Sequence, residues 1–216
     1  IVRDLPSLLW IMNLGCIDLN PWYARCDDIH KPDYLHFDLD PVPDADFAGV
    51  RQAALLIASS LSAIEMRPLL KTSGSKGIHI YVPIERGPRQ KEVWRVAKRL
   101  AIAFAEERPD LITAEYRISH RPAGRVLVDY NQNAWGRTLA SVYSVRPKPG
   151  APVSAPVTQE ELDKTTELLI EIKTKQARAF SPNMGDMADI LARGEAWLST
   201  IGWEAIPAFP VAEGAD

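Results

Sequence analysis

The residues best equipped for chemistry are two aspartates one residue apart, Asp38 and Asp40, in the run YLHFDLDP. The run alternates. Leu35, Phe37 and Leu39 fall on one side of an extended chain, and Tyr34, His36, Asp38 and Asp40 on the other. Same-side positions of a strand lie roughly 7 Å apart at the backbone, so the two carboxylates repel unless a cation, protons or water screens them. Hard oxygen ligands at that spacing suit Mg²⁺ or Mn²⁺, which bridge carboxylates to phosphates. The plainer alternative is an edge strand whose polar face meets water. Asp27, Asp28, Asp33, Asp44 and Asp46 nearby read as solvated loop charge.

A second stretch, KTSGSKGIH, offers hydroxyls at Ser73 and Ser75, a cation at Lys76 and a backbone at Gly74 and Gly77 that can approach phosphate closely. It lacks the GxxxxGK[ST] spacing of a P-loop. His79 follows, on the face of its strand opposite to Ile78 and Ile80. Alone, this is a β-turn followed by a polar-face histidine. A third stretch, from Arg117 to Lys148, carries Arg117, Arg121, Arg125, Arg137, Arg146 and Lys148 against one acid, Asp129. Tyr130, Trp135 and Tyr143 are interleaved with the cations, as in surfaces that grip a phosphate backbone and stack on bases. Alone, this is a solvated basic face with core aromatics. Together, three strand-borne aspartates, a Ser/Lys/His turn and an Arg-rich segment are the equipment of metal-dependent phosphoryl or nucleotidyl transfer.

The elements that must position these groups are readable from period and punctuation. DLPSLLWIMNLG reads as a helix capped by Asp4, with Pro6 in its first turn and Gly15 at its end. Residues 34–40 read as a strand stopped by Pro41 and Pro43. Residues 46–66 form an amphipathic helix with Val50, Ala54, Ile57, Leu61 and Ile64 on one stripe. LLKTSGSKGIHIYVPI reads as strand, glycine turn, strand, with Ile78, Ile80 and Val82 sharing a face. Residues 89–108 form a helix with Val93, Val96, Leu100 and Phe104 inward, and GRVLVDYN is a strand with Asp129 near its end. Thr158 and Glu161 make a capping box for a helix over 158–172. Residues 146–156 read as an extended connection, 186–200 as a last helix, and the rest as a loose Pro-rich end. The expectation is one α+β domain over 1–216, with a mixed or antiparallel sheet flanked by helices and a helical C-terminal part over 158–216.

Composition is ordinary for a globular protein, with 46% hydrophobic and 25% charged residues among 216. A net charge of −3 gives no sign of nucleic acid, so any such surface must be local. Two cysteines without a CxxC pair, no apolar run long enough to span a membrane and no leader pattern lead to the expectation of a reducing, cytoplasmic setting.

The ordered motifs FDLDP, KTSGSKGIHIYVP, VLVDYNQN and YSVRPKPGAPVSAPVTQEEL closely resemble the polymerase domain of bacterial DNA ligase D, in the archaeo-eukaryotic primase superfamily. The resemblance runs from about Asp4 to Leu162. It implies a primase-polymerase module with an RRM-like sheet that adds nucleotides, with a taste for ribonucleotides, to DNA ends during non-homologous end joining. It implies Asp38, Asp40 and Asp129 as catalytic metal ligands for two ions, Mn²⁺ or Mg²⁺. It places Ser73, Lys76, His79, Gln132 and Arg146 around an incoming nucleotide, and Arg121, Arg125, Arg137 and Lys148 against DNA. It implies as partners DNA ends, nucleoside triphosphates, Ku and a ligase module, fused or separate, and with them a nucleoid-associated place in the cytoplasm.

The sequence departs from the family pattern in three places. Asn20 in IDLNPW stands where the family has a functional His. Pro122 stands in the place of a family Arg, with Arg121 next to it. The family's early segment, with base-stacking aromatics and end-binding cations, has no counterpart before Ile1, so the chain is expected to be a fragment that binds DNA ends weakly. Two rivals compete. A dehalogenase-type phosphatase shares DxD and would use GDMAD (185–189) as its late acidic motif, but that motif should follow an apolar strand, and Asp186 and Asp189 look like helix-start acids. A non-catalytic relative that binds DNA ends or a partner would explain Asn20, yet has no need of three clustered carboxylates.

Overall fold

The computed structural model describes residues 2–164. Six strands form one sheet: β1 (Tyr34–Pro41), β2 (Leu69–Thr72), β3 (Ile78–Pro83), β4 (Ile112–Thr113), β5 (Val126–Asp129) and β6 (Pro156–Val157). Their spatial order is β4-β5-β1-β3-β2-β6. Every neighbouring pair is antiparallel except β4 and β5, which run parallel, so the sheet is mixed. The strand bearing Asp38 and Asp40 is therefore central, not an edge, and on its polar side Asp38 is buried while Asp40 is exposed.

Side-chain alternation divides the sheet into two faces. On one, Leu35, Phe37 and Leu39 of β1, Ile78, Ile80 and Val82 of β3, and Val126 and Val128 of β5 are buried. Two helices cover them: α2 (Phe47–Ala63) through Val50, Ala53, Ala54, Ile57, Ala58 and Leu61, and α3 (Gln90–Glu107) through Val93, Ala97, Ala101 and Phe104. Each large aliphatic side chain so buried contributes about 1.5–3 kcal/mol. The Phe37 ring meets Phe104 edge-on at 5.8 Å, tying the central strand to α3.

Two expected inward residues are not inward. Val96 is 43% exposed, because the stripe runs Val93–Ala97–Ala101–Phe104 and leaves Val96 on its flank. Ile64 is 54% exposed, because α2 ends at Ala63 and Glu65, at φ +61°, turns the chain away. The helix at the start, α1 (Leu5–Asn13), is capped by Asp4, whose carboxylate accepts from Ser7 N–H at 2.8 Å, and Gly15 follows at φ +79°. The Thr158–Glu161 box closes reciprocally, at 2.9 and 3.0 Å, on α4 (Gln159–Lys164). The remainder of that helix, the helix over 186–200 and the acids of GDMAD lie outside the described residues. Among the described residues, no helix is long and apolar enough to cross a membrane.

The other face of the sheet carries the chemistry. Its far end is roofed by Tyr23, Trp22 and Leu139, packed on Tyr34 and Tyr81. Where β5 stops beside β1, a short 3₁₀ turn, Asn131–Asn133, takes over. The buried Asn133 side chain there imitates a strand: its Oδ1 accepts from His36 N–H at 2.9 Å, and its Nδ2 donates to the His36 and Tyr130 carbonyls at 2.6 and 2.9 Å. Asn133→Ala leaves the buried His36 amide without partners and is expected to cost about 2–3 kcal/mol, read as a lower urea midpoint with an unchanged slope.

Candidate metal and nucleotide site

The register of four strands sets one row of side chains across the polar face. Asp129 stands opposite Asp38, Asp38 opposite His79, and His79 opposite Lys71. Asp40 lies two residues along from Asp38 on the same face and is the most open of the three acids; Asp38 is buried and Asp129 half-buried. The row exists because each strand's apolar residues face α2 and α3, which forces the alternate positions to the other side.

Three carboxylates at one end of a sheet disfavour their own charge. Burial pushes Asp38 up to about 6, against the pull of Lys71 and Arg146. Burial, then Asp38, then Asp129 push Asp40 up to about 6, with Lys148 and Arg121 opposing. Asp129 is raised by burial, while the Asn131 N–H opposes the shift. A divalent cation suits this donor set, because it supplies the countercharge that the fold leaves short. Asp38 Oδ1 is buried without a hydrogen bond. Asp129 is already oriented, accepting from Asn131 N–H at 2.8 Å and Gln132 Nε2 at 3.1 Å. Among the described residues, no three or more acids, histidines and cysteines are grouped closely enough to hold a metal ion as they stand. The three aspartates share a face and an end of the sheet through their register.

The glycine turn between β2 and β3 folds on Ser73. The Ser73 hydroxyl oxygen accepts from Ser75 N–H at 3.1 Å and Gly77 N–H at 3.0 Å, which leaves its proton free to donate. Gly74 holds φ +67°, and an added Cβ would meet Arg146 Cγ at 2.8 Å, so its bareness lets Arg146 lie across the turn. Arg146 Nη1 donates to the Ser73 carbonyl at 3.3 Å, and its Nε lies 3.4 Å from Asp18 Oδ2. Ser73, His79 and Arg146 are thus brought to one side of the aspartates, and Gln132 reaches them through Asp129. Lys76 is exposed on the turn rather than packed into the group.

The four expected DNA-contacting cations separate. Arg121 donates to the Glu115 and Tyr116 carbonyls, both at 3.0 Å, and lines a cavity of about 180 Å³ beside Asp40 with Pro41, Val42, Pro43, Ile118, Ala123 and Leu127. Lys148 is exposed and bonds Ser75 Oγ. Arg137 is exposed, and Arg125 donates to the Pro109 carbonyl at 2.8 Å.

Residue reading missed three members of the site. Lys71 is wholly buried, within 2.8 Å of His79 Nδ1. Ser154, from the connection after Arg146, accepts from Lys71 Nζ at 2.5 Å. Asp18 pairs Arg146, and its neighbour Asn20 turns back to donate to Asp18 Oδ1 at 3.1 Å. The available sign for Lys71 was parity: it stands two residues before Ser73, on the face that the turn uses.

Comparison with known proteins places the chain in a family. A multifunctional non-homologous end joining protein LigD from Pseudomonas aeruginosa is 35% identical over 162 residues, covering 75% of this chain and 19% of the relative. A LigD from Mycobacterium tuberculosis is 33% identical over 159 residues, covering 74% and 20%. The chain spans about a fifth of the length of these relatives. Among solved structures, the polymerase domain from Mycobacterium tuberculosis Ligase D in complex with DNA superposes with a TM-score of 0.70 at 30% identity, over 76% of this chain and 60% of that one. The model of the LigD primase-polymerase domain matches residues 1–186, and the chain belongs to that family.

Proposed function

We propose that this chain transfers nucleotides to DNA ends in double-strand break repair by non-homologous end joining. One observation carries the reading: Asp38, Asp40 and Asp129 share one end of a sheet face with Ser73, His79 and Arg146, in a member of a polymerase family. The family is metal-dependent in general, and here Asp38, Asp40 and Asp129 would hold one or two Mn²⁺ or Mg²⁺ ions. Bound there, the metal supplies positive charge to phosphate oxygens and lowers the pKa of an attacking hydroxyl. The chain's own groups do the rest. Arg146 offers a planar fork to phosphate oxygens, which a lysine would match less well. Ser73 offers its free hydroxyl proton, Lys76 and Lys148 stand exposed at the mouth, and Gln132 keeps Asp129 turned inward. Arg121, Arg125, Arg137 and Lys148 would meet DNA, with Ku and a ligase module, fused or separate, as partners in the repair reaction.

The test is primer extension on a 5′-phosphorylated duplex with each ribo- and deoxyribonucleoside triphosphate, with and without Mn²⁺. Elongation with pyrophosphate release is expected, while end binding without elongation would favour the non-catalytic reading that Asn20 invites. Phosphate release through a label trapped on Asp38 would instead mark a phosphatase.

A further inference from the structure

Lys71 is the fourth residue of the row Asp129, Asp38, His79, Lys71, and it is fully buried. Its Nζ lies 2.8 Å from His79 Nδ1 and 2.5 Å from Ser154 Oγ. Ser154 gives its only hydroxyl proton to the Thr72 carbonyl at 2.6 Å, so toward Nζ its oxygen can only accept. On the other edge of the imidazole, His79 Nε2 lies 3.3 Å from Asp38 Oδ1, a buried oxygen with no hydrogen bond, and a small tilt of the ring closes that contact.

Both ends of this chain of contacts demand the same arrangement of protons. An ionised carboxylate only accepts, so Nε2 must carry the ring proton. Nδ1 is then bare, and the group facing it must donate. A protonated lysine can only donate, as a guanidinium would, whereas a hydroxyl or an amide in its place would accept as readily as donate; burial draws the Lys71 ammonium down to about 7, with Asp38 opposing. A buried lysine is costly where an apolar residue of the same length would fill the space. We propose that Lys71 is a positioning residue that locks His79 as its Nε2–H tautomer, so that His79 clamps Oδ1 of Asp38 and leaves the other carboxylate oxygen to a divalent cation. Its part in turnover rests on the nucleotidyl-transfer reading; the tautomer does not.

The tautomer is read from two-bond ¹H–¹⁵N correlations of the whole chain, whose four histidines are assigned by single substitutions, His79→Gln removing the relevant signals. The wild type is expected to show Nε2–H at His79. Lys71→Met should show Nδ1–H or a mixture, and Lys71→Arg, which still only donates, should restore Nε2–H. Titration with Mn²⁺ alone should be about tenfold weaker for the Met variant and recovered by Arg, the scale on which partners behind a metal ligand act. If Lys71→Met does not fold, Lys71→Gln replaces it and should give mixed tautomers. Nδ1–H in the wild type, or an unchanged tautomer and Mn²⁺ affinity without Lys71, would overturn the proposal. A wild type that adds no nucleotides yet shows Nε2–H would defeat the polymerase reading and leave this one standing.

Discussion

Asp40→Asn is expected to abolish nucleotide addition and, at the same time, to make the metal-free protein more stable above pH 6. The first effect follows from removing one of three anionic oxygen donors. Charge stabilisation by a bound metal is worth several kcal/mol, so the loss should be on the order of a thousandfold, or about 4 kcal/mol. The second follows from crowding. The Asp40 carboxyl is pushed up to about 6, first by burial and then by Asp38 and Asp129, from a usual value near 4. The unfolded chain therefore loses this proton more readily than the folded one. Stability conferred by the protonated form is complete below about pH 4 and is lost as pH rises to about 6. An asparagine cannot ionise, so wild type and variant should melt together at pH 4 and diverge above 6, the variant higher. Added Mn²⁺ should raise the melting temperature of the wild type and barely move that of the variant. A variant that melts lower than the wild type at pH 8 without metal would show that the carboxylate is structural.

Much of this site was legible before any coordinates, and for a definite reason. Asp38, His79 and Asp129 lie on strands whose other faces are built from Leu, Ile, Val and Phe, so period-2 alternation alone assigns them to one side. Ser73 and Gly77 announce their turn by composition. Lys71 was harder to read: parity puts it on the site's face, but a lysine in a four-residue strand reads as solvent-facing, and Ser154, 83 positions along the chain, helps to enclose it. Asn133 was silent for the same reason, since its partner His36 lies 97 residues away. β4 and β6 have two residues each, too few to show a period. Val96 misled because a β-branched residue beside the true stripe looks like part of it. Counting cations puts Arg125 in a basic segment but does not give its orientation, which its Nε–H bond to the Pro109 carbonyl sets.

Gly77→Ala is expected to be the most damaging single methyl in the described fold. A Cβ at residue 77 would sit 2.2 Å from the Leu39 carbonyl oxygen and 3.0 Å from Asp40 Oδ1. The first obstacle is backbone of the central strand, held in register by Leu39 against Ile78, so it cannot step aside as a side chain would. The two strands must part where β3 leaves the turn. Parting them also strains the bonds that close the turn, from Ser73 N–H to the Gly77 carbonyl at 2.9 Å and from Gly77 N–H to Ser73 Oγ at 3.0 Å. Overpacking against a fixed backbone costs about 3 kcal/mol or more, and the same wedge displaces Asp40 and Ser73 together. Gly74→Ala is the control. There the nearest obstacle is the flexible Arg146 side chain at 2.8 Å, the backbone of Val153 and Ser154 stands off at 3.1 Å, and the positive φ is worth about 1–2 kcal/mol. Urea unfolding should separate them, with the Gly77 variant far below the Gly74 variant in midpoint. Equal midpoints would mean that β1 yields at Leu39, and that the aspartates are held less rigidly than the register implies.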